Sequence, residues 1–266
     1  MRLEVVSYTP ETLSHTTPIL FLHGAWHGAW CWEDYFLPYF AEQGFSAHAM
    51  SLRAHGKSEG RKTLRWLSMD DYVTDLVEVV HSLPQTPVIV GHSLGGFILH
   101  KYLEHYTAPA AILMAPAPAR GGVRFTYRAL RSMPGALLKT TVTFSPYHLV
   151  NSLERSQTLF FSSGMPRAEV EKHFQRMQDD SFRAYLDFLM LALPDVRAIR
   201  QQAVPMLILG GADDHIFPPR EIEGVGRLYD AEVAVLPNMA HDMMLEPNWQ
   251  SAADKIIGWL QTHSVP

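Results

Sequence analysis

The chain has 266 residues, of which 47% are hydrophobic, enough to bury the core of one large α/β domain or two small ones. Its formal net charge of -5 lacks the basic surplus of nucleic-acid-binding proteins, so we expect no nucleic-acid partner. The single cysteine, Cys31, excludes an intramolecular disulfide. The sequence has no signal-peptide pattern and no apolar run of about 20 residues, which predicts a cytoplasmic protein without an integral membrane segment.

Short apolar runs bounded by turn residues recur along the chain and predict strands. Several of them are almost wholly apolar, which is typical of strands buried on both faces of a parallel sheet. Stretches with helical periodicity lie between them or follow them, over 70–83, 95–107 and 248–261. This alternation predicts a doubly wound, mostly parallel α/β sheet. The predicted strands are 3–8, 18–22, 45–50, 87–91, 110–114, 204–210 and 232–237.

Directly after the second predicted strand, residues 23–32 read HGAWHGAWCW. The histidines His23 and His27 are four residues apart, as are two zinc ligands in the HExxH motif. That motif requires a glutamate after the first histidine and a helix that carries both ligands. Here Gly24 follows a histidine that comes directly after a strand, so we predict no metal site.

Residues 88–97 read VIVGHSLGGF and contain a Gly-x-Ser-x-Gly pattern between a buried strand and a helix. This is the context of a nucleophile elbow. The serine of an elbow occupies a tight, strained turn, and bulky residues in place of Gly91 and Gly95 would clash with the strand and the helix. Ser93 is therefore the predicted nucleophile.

The alternation of strands and helices stops between about 116 and 200. Helix-like stretches appear there at 167–180 and 181–193. We interpret 119–200 as a helical cap that is inserted into an α/β core formed by 1–118 and 201–266.

The first part of the predicted cap, 120–139, is basic and contains no acidic residue. Three arginines spaced by four would share one helix face, which either meets an anionic headgroup or membrane surface or is simply solvated. Further along, methionine and phenylalanine side chains either line an acyl pocket or pack within the cap. The basic residues are Arg120, Arg124, Arg128, Arg131 and Lys139, and the apolar ones are Met165, Met177, Phe182, Phe188 and Met190.

A serine nucleophile needs a base and an acid that orients the base. The loop after the sixth predicted strand carries Asp213 and Asp214, and the loop after the seventh carries His241. This chain order, with every group at the carboxyl end of a strand, matches that of serine hydrolases on an α/β sheet. Asp214, four residues before Pro218, is favoured as the acid, and Asp213 is interpreted as a loop-capping residue.

These motifs together resemble the α/β-hydrolase superfamily over essentially the whole chain. The resemblance rests on the HG loop at 23–24, an R-x-H-G-x-S loop at 53–58, the GHSLGG elbow, the G-x-x-D loop and the last histidine loop. It implies that Ser93 is the nucleophile, Asp214 the acid and His241 the base.

The resemblance also implies an oxyanion hole formed by the backbone N–H groups of Ala25 and Leu94, and an enzyme without cofactor or metal. The HGAWHGAWCW segment is similar to that of plant methylesterases and hydroxynitrile lyases. One departure is Ala54, where many relatives have glycine. The substrate pocket is predicted to include His23, Trp26, His27 and His92.

The predicted reaction is acyl transfer to water from a small or medium carboxylic ester. Thioesters, lactones, C–C bonds and cyanohydrins stay open as substrates, as does a receptor that binds a small ligand without turnover. A homodimer and peripheral contact of the cap with lipid also stay open. Asp242 and Glu246, close to the last histidine loop, are interpreted as local turn or helix-capping residues.

Overall fold

The computed structural model describes residues 1–263 and contains one seven-stranded sheet with the order β1-β3-β2-β4-β5-β6-β7. Strand β1 pairs with β3 in antiparallel orientation, and the other neighbours pair in parallel. The mostly parallel sheet predicted from the sequence is confirmed. The strands are β1 Glu4–Tyr8, β2 Ile19–Leu22, β3 Ala47–Ser51, β4 Val88–His92, β5 Ala111–Met114, β6 Met206–Gly211 and β7 Glu232–Leu236.

Every residue of β2, β4, β5 and β6 is buried, whereas the edge strands β1 and β7 are partly exposed. The continuous apolar runs of the central strands therefore have a direct cause, because helices cover both faces of the sheet there. The helices of the core are α1 Trp30–Glu33, α2 Phe36–Glu42, α3 Met69–Ser82, α4 Leu94–Tyr102, α11 Pro219–Tyr229 and α12 Trp249–Thr262.

Six further helices lie between β5 and β6, in the stretch predicted as the cap. A 3-10 turn, Pro146–Leu149, interrupts them, and a π-helical turn, Asp187–Leu191, continues α9. None of the helices within 1–263 is long and apolar enough to cross a membrane. The helices are α5 Val123–Ser132, α6 Pro134–Thr143, α7 Leu153–Phe160, α8 Arg167–Phe174, α9 Phe182–Leu186 and α10 Val196–Gln201.

Two details of the cap differ from the sequence prediction. The helix predicted over 167–180 ends at Phe174, because the following residues bind a loop of the core. The three arginines predicted to share one helix face also separate. Arg120 precedes α5, and Arg128 reaches out of the cap to the carboxylate of Glu221 and the carbonyl of Ile216.

Candidate active site

Ser93 stands between β4 and α4 with φ +52°, in the left-handed region that side chains other than glycine rarely adopt. Close packing around the turn demands small residues. A Cβ atom on Gly91 would lie 2.6 Å from the carbonyl oxygen of Gly95, and one on Gly95 would lie 2.6 Å from the carbonyl oxygens of Leu22 and His23. The glycines thus let α4 begin directly against the ends of β4 and β2.

His241 and Asp214 form a buried pair in which Nδ1 of the imidazole donates to Oδ2 of the carboxylate over 2.8 Å. The other oxygen of Asp214 accepts hydrogen bonds from the N–H groups of Ile216 at 2.7 Å and Phe217 at 2.9 Å. Asp213 is exposed. Asp214 is therefore held in position to orient the ring with Nδ1 protonated, a tautomer whose Nε2 can accept a proton.

The elbow and the loop of His241 touch through His92, which precedes Ser93. Nε2–H of His92 donates to the carbonyl of His241 over 3.0 Å, and the two rings are 4.8 Å apart. Within 1–263 no hydrogen bond joins Ser93 Oγ to the ring of His241. Such contacts are often long without substrate and tighten in the Michaelis complex.

A small cavity of about 50 Å³ lies against Ser93. Its wall is mainly apolar and includes Phe125 and Phe188 of the cap and Phe217 of the core, while the carboxylate of Asp180 supplies a charge. An apolar group bonded to a carbonyl carbon at Ser93 would be excluded from water there.

The residues predicted as an acyl pocket have different positions. Phe188 lines the cavity, whereas Met165 and Met177 are buried without lining it and Met190 is 59% exposed. Phe182 is buried, and its ring contacts that of Phe144, directly after α6. Helical spacing could not distinguish these positions, because the cap helices also pack against one another.

Ala25 and Leu94 line the same cavity as Ser93. Within 1–263 neither backbone N–H donates to a protein acceptor. Two free N–H donors beside a serine hydroxyl are what an oxyanion hole requires.

Trp26, next to Ala25, is held by the cap. It has φ +66°, a conformation that costs about 1–3 kcal/mol for a bulky residue and persists only where its surroundings impose it. Its N–H donates to Oδ2 of Asp180 over 2.9 Å, and its carbonyl accepts from the N–H of Gln178 over 3.0 Å. Residues 178–180 of the cap thus hold the turn that presents the N–H of Ala25.

Asp180 is ionised although it is buried. Burial by itself would raise its pKa, but the charge of His55 and the hydrogen bonds to the carboxylate outweigh burial, and the pKa of Asp180 is lowered. Sequence analysis missed this residue, because 167–180 has helical periodicity. The available signal was local: Ser181 caps α9, so a helix had to begin after Asp180.

Gln178 also binds the loop of the R-x-H-G-x-S motif. Its Nε2 donates to the carbonyl of Ala54 over 3.0 Å, and its Oε1 accepts from the N–H of Gly56 over 3.1 Å. Ala54 has φ +65°, a conformation that glycine adopts without the strain of a side chain. The cap is thereby connected to two loops at the carboxyl end of the sheet.

Of the four predicted pocket residues, Trp26 lines the cavity, whereas the three histidines do not line it. His23 is fully buried, with Nδ1 donating to the carbonyl of Gly24 at 2.7 Å and Nε2 accepting from the N–H of Leu52 at 3.1 Å. Burial, and then the charge of His241, lowers the pKa of His92 to about 3. The rings of His23 and His92 are therefore neutral, and each binds a backbone group of a loop.

His27 is a buried cation with an acceptor at each nitrogen. Nδ1 lies 2.7 Å from the carbonyl oxygen of Ala25, and Nε2 lies 3.0 Å from Oδ2 of Asp242. Burial by itself would lower the pKa of His27, but the charge and hydrogen bond of Asp242 outweigh it and the pKa is raised. The same partner lowers the pKa of Asp242 against the effect of burial.

Asp242 and Glu246 are therefore not the local turn or capping residues predicted. Asp242 reaches the loop of Ala25 through His27. Glu246 accepts from the N–H and the hydroxyl of Ser162 in the cap, at 2.6 and 2.7 Å, and from the N–H of Ala240 at 3.1 Å. Both carboxylates join distant segments around His241, which sequence spacing does not reveal.

Ligand atoms of His92, His241 and Asp242 lie within 4.8 Å of one another, as in a candidate metal site. Each residue already has a hydrogen-bond partner: the carbonyl of His241 for His92, Asp214 for His241, and His27 for Asp242. These contacts use one atom of each side chain, while Nδ1 of His92 and Oδ1 of Asp242 have no hydrogen-bond partner within 1–263.

Replacing Asp242 by alanine should destabilise the protein by about 3–5 kcal/mol, because it leaves a buried imidazolium without its partner. This corresponds to a fall in Tm of roughly 10 °C or more. The contribution of His27 is present below its ordinary pKa of 6.5 and is lost as the pH rises through its raised value. The difference in Tm between wild type and variant should therefore be larger near about pH 6 than near about pH 9.

The control is Asp34→Ala, which removes a surface carboxylate paired with Lys172 and Arg176. It should cost about 1 kcal/mol or less. Equal losses for the two variants, or a loss for Asp242→Ala that does not change with pH, would contradict the ion pair.

Known proteins are similar to this chain in sequence and in fold. Residues 19–253 match the family described as "Alpha/beta hydrolase family". Methylesterase 3 of Arabidopsis thaliana is 31% identical over 96 residues, 35% of this chain and 36% of that protein. The monoacylglycerol lipase of Mycolicibacterium smegmatis is 26% identical over 236 residues, 84% of this chain and 81% of that protein.

Matches to the first plant relatives span only about a third of their length, 34–36%. Among solved structures, a thermophilic esterase from Thermogutta terrifontis superimposes with a TM-score of 0.73 at 21% sequence identity, covering 98% of this chain and 93% of that one. At this identity the likeness concerns the fold.

Proposed function

The chain belongs to the alpha/beta hydrolase family, and we propose that it is a serine hydrolase that cleaves a carboxylic ester. The observation that carries the proposal is the buried His241–Asp214 pair beside the strained elbow serine, Ser93, at the wall of an apolar cavity. A pure binding protein has no need of a serine in a strained turn next to an oriented imidazole.

In the proposed reaction Ser93 Oγ attacks the ester carbonyl carbon while Nε2 of His241 takes its proton. The oxyanion accepts hydrogen bonds from the N–H groups of Ala25 and Leu94. The C–O bond then breaks, and His241 returns the proton to the departing alcohol. Water attacks the acyl-enzyme with His241 again as the base, which releases the acid and restores Ser93.

The nature of the substrate is supported by the cavity and by the relatives. Proteins named methylesterase and monoacylglycerol lipase act on esters by name, which favours an ester over an amide. The apolar wall suits an uncharged acyl group, and the carboxylate of Asp180 disfavours an anionic one. A volume of about 50 Å³ favours a short acyl chain.

The test is a panel of p-nitrophenyl esters of increasing acyl length, together with a lactone, a thioester and a cyanohydrin. We expect turnover of the esters, fastest for short chains. The same protein is treated with a fluorophosphonate probe, which labels a serine activated by a base. If no ester is hydrolysed and the probe does not label Ser93, the proposal is refuted in favour of a receptor.

Asp180→Ala should lower kcat by about 100-fold with a smaller change in KM, because the turn that carries Ala25 loses its support. Asp180→Asn still offers an oxygen to the N–H of Trp26 and should recover most of the rate. Asp195→Ala is the matched control, since Asp195 is an exposed carboxylate of the cap that caps α10. Steady-state kinetics of the three variants test the prediction. A loss for Asp195→Ala as large as that for Asp180→Ala would show a general effect on the cap.

A further inference from the structure

The first two helices of the cap expose large apolar side chains. On α5, Val123, Tyr127 and Leu130 are 53–57% exposed and follow the spacing of one helix face. On α6, Leu138 and Val142 are 64% and 68% exposed and are also four residues apart. Scattered single apolar residues are ordinary on a surface, but stripes on two consecutive helices indicate an interaction surface.

The same segment is positively charged in a chain whose net charge is -5. Residues 116–153 contain no aspartate or glutamate and include five arginine or lysine residues. Arg128 is occupied by Glu221, and Arg131 lies over the exposed ring of Tyr127 at 5.9 Å. A partner that binds this surface should therefore carry both apolar groups and negative charge.

A groove at the beginning of α5 gathers arginines from three separate segments of the chain. Its acidic wall residue, Glu221, is already paired with Arg128. Val123, the first residue of the apolar stripe on α5, lines the same groove. Arginine guanidinium groups bind phosphate oxygens in a forked geometry. The arginines are Arg120, Arg124, Arg200, Arg220 and Arg227.

We propose that α5 and α6 form a docking surface for an anionic phospholipid bilayer, with headgroup phosphates in the arginine groove and the apolar stripes in the interfacial region. Basic helices with exposed aliphatic and aromatic side chains bind membranes in this way. A second copy of the chain would bring the same positive charge against this surface. A free phosphorylated molecule would fill the groove and leave the apolar stripes in water.

Docking has a structural consequence for the cavity beside Ser93. Phe125 lies on α5 between the exposed residues and lines that cavity. The bilayer would thus contact the helix that forms one wall of the cavity. Docking itself does not depend on ester hydrolysis, so its test uses binding alone.

The experiment is co-sedimentation of the full chain with vesicles of phosphatidylcholine alone or mixed with phosphatidylglycerol. We expect binding to the mixed vesicles that weakens as salt is added, and little binding to phosphatidylcholine. The double variant Leu138→Ser/Val142→Ser and the variant Arg124→Glu should each weaken binding about tenfold. Circular dichroism checks that each variant is folded.

Matched controls replace exposed residues outside the cap. Leu13→Ser removes an apolar side chain that is 56% exposed, and Arg2→Glu reverses an exposed charge. Both should bind like wild type. Absence of binding to either vesicle, or equal losses in the controls, would overturn the proposal.

Two other outcomes assign the surface differently and also overturn it. If Arg124→Glu weakens binding while Leu138→Ser/Val142→Ser does not, the groove is a site for a free anion. If light scattering finds a dimer that the double variant dissociates, the apolar stripes bind a second copy of the chain.

Discussion

Replacing Ser93 by alanine is expected to lower kcat for a p-nitrophenyl ester by about 10⁵-fold, because it removes the elbow hydroxyl that forms the covalent bond. The other hydroxyl groups of the cavity wall, those of Ser181 and Tyr185, are bound to Leu67 and Thr126. The variant should also lose labelling by a fluorophosphonate probe, measured by mass spectrometry of the intact protein. Alanine carries the same Cβ atom as serine, so the elbow with φ +52° is not made more strained. Tm should therefore stay close to that of wild type.

Ser163 supplies the matched control for this experiment. It is exposed and does not line the cavity beside Ser93. Ser163→Ala should retain the rate and the labelling of wild type. A Ser93→Ala variant that keeps its rate, or a probe attached to another residue, would refute the assignment of the nucleophile.

The second large effect concerns the acid. Asp214→Asn should lower kcat by about 10⁴-fold, because an amide can donate to Nδ1 of His241 and so stabilise the wrong tautomer of the ring. The variant also loses the negative charge that would stabilise the imidazolium formed when Ser93 gives up its proton. KM should change far less than kcat, since Asp214 lies behind His241 and not at the cavity wall.

Asp213→Asn is the natural control, because the neighbouring side chain is exposed and has the same chemistry. Its kcat should stay within about twofold of wild type. The reverse outcome, with Asp213 essential and Asp214 dispensable, would mean that the loop rearranges when substrate binds.

The candidate site residues that sequence analysis located are those whose pattern depends on neighbouring residues. The elbow around Ser93 needs small residues two positions away on each side, and this requirement is visible as Gly-x-Ser-x-Gly. The strands preceding Asp214 and His241 are short apolar runs, so their loops could be located at the carboxyl edge of the sheet. The choice of Asp214 over Asp213 agrees with the observed hydrogen bond to His241.

The residues that hold the loops of the candidate site in place could not be predicted from the sequence in this way. Asp180 binds Trp26 from 154 residues away, and Asp242 binds His27 from 215 residues away. Nothing in the local pattern of either aspartate differs from that of an ordinary turn or helix end. The periodicity of 167–180 favoured a helix over the whole stretch. The helix ends at Phe174, because the residues after it contact loops of the core.

The sequence by itself thus determined the sheet, the elbow and the candidate triad, because strand burial and turn sterics act over a few residues. Only the tertiary structure decided which charged side chains are buried and which loops they hold in place. Buried charges are tolerated only with a partner, and that partner comes from whichever segment the fold brings near. In this protein the cap brings Asp180 to Trp26 and Ser162 to Glu246, so the loops around Ser93 depend on a segment whose sequence alone indicated only helices.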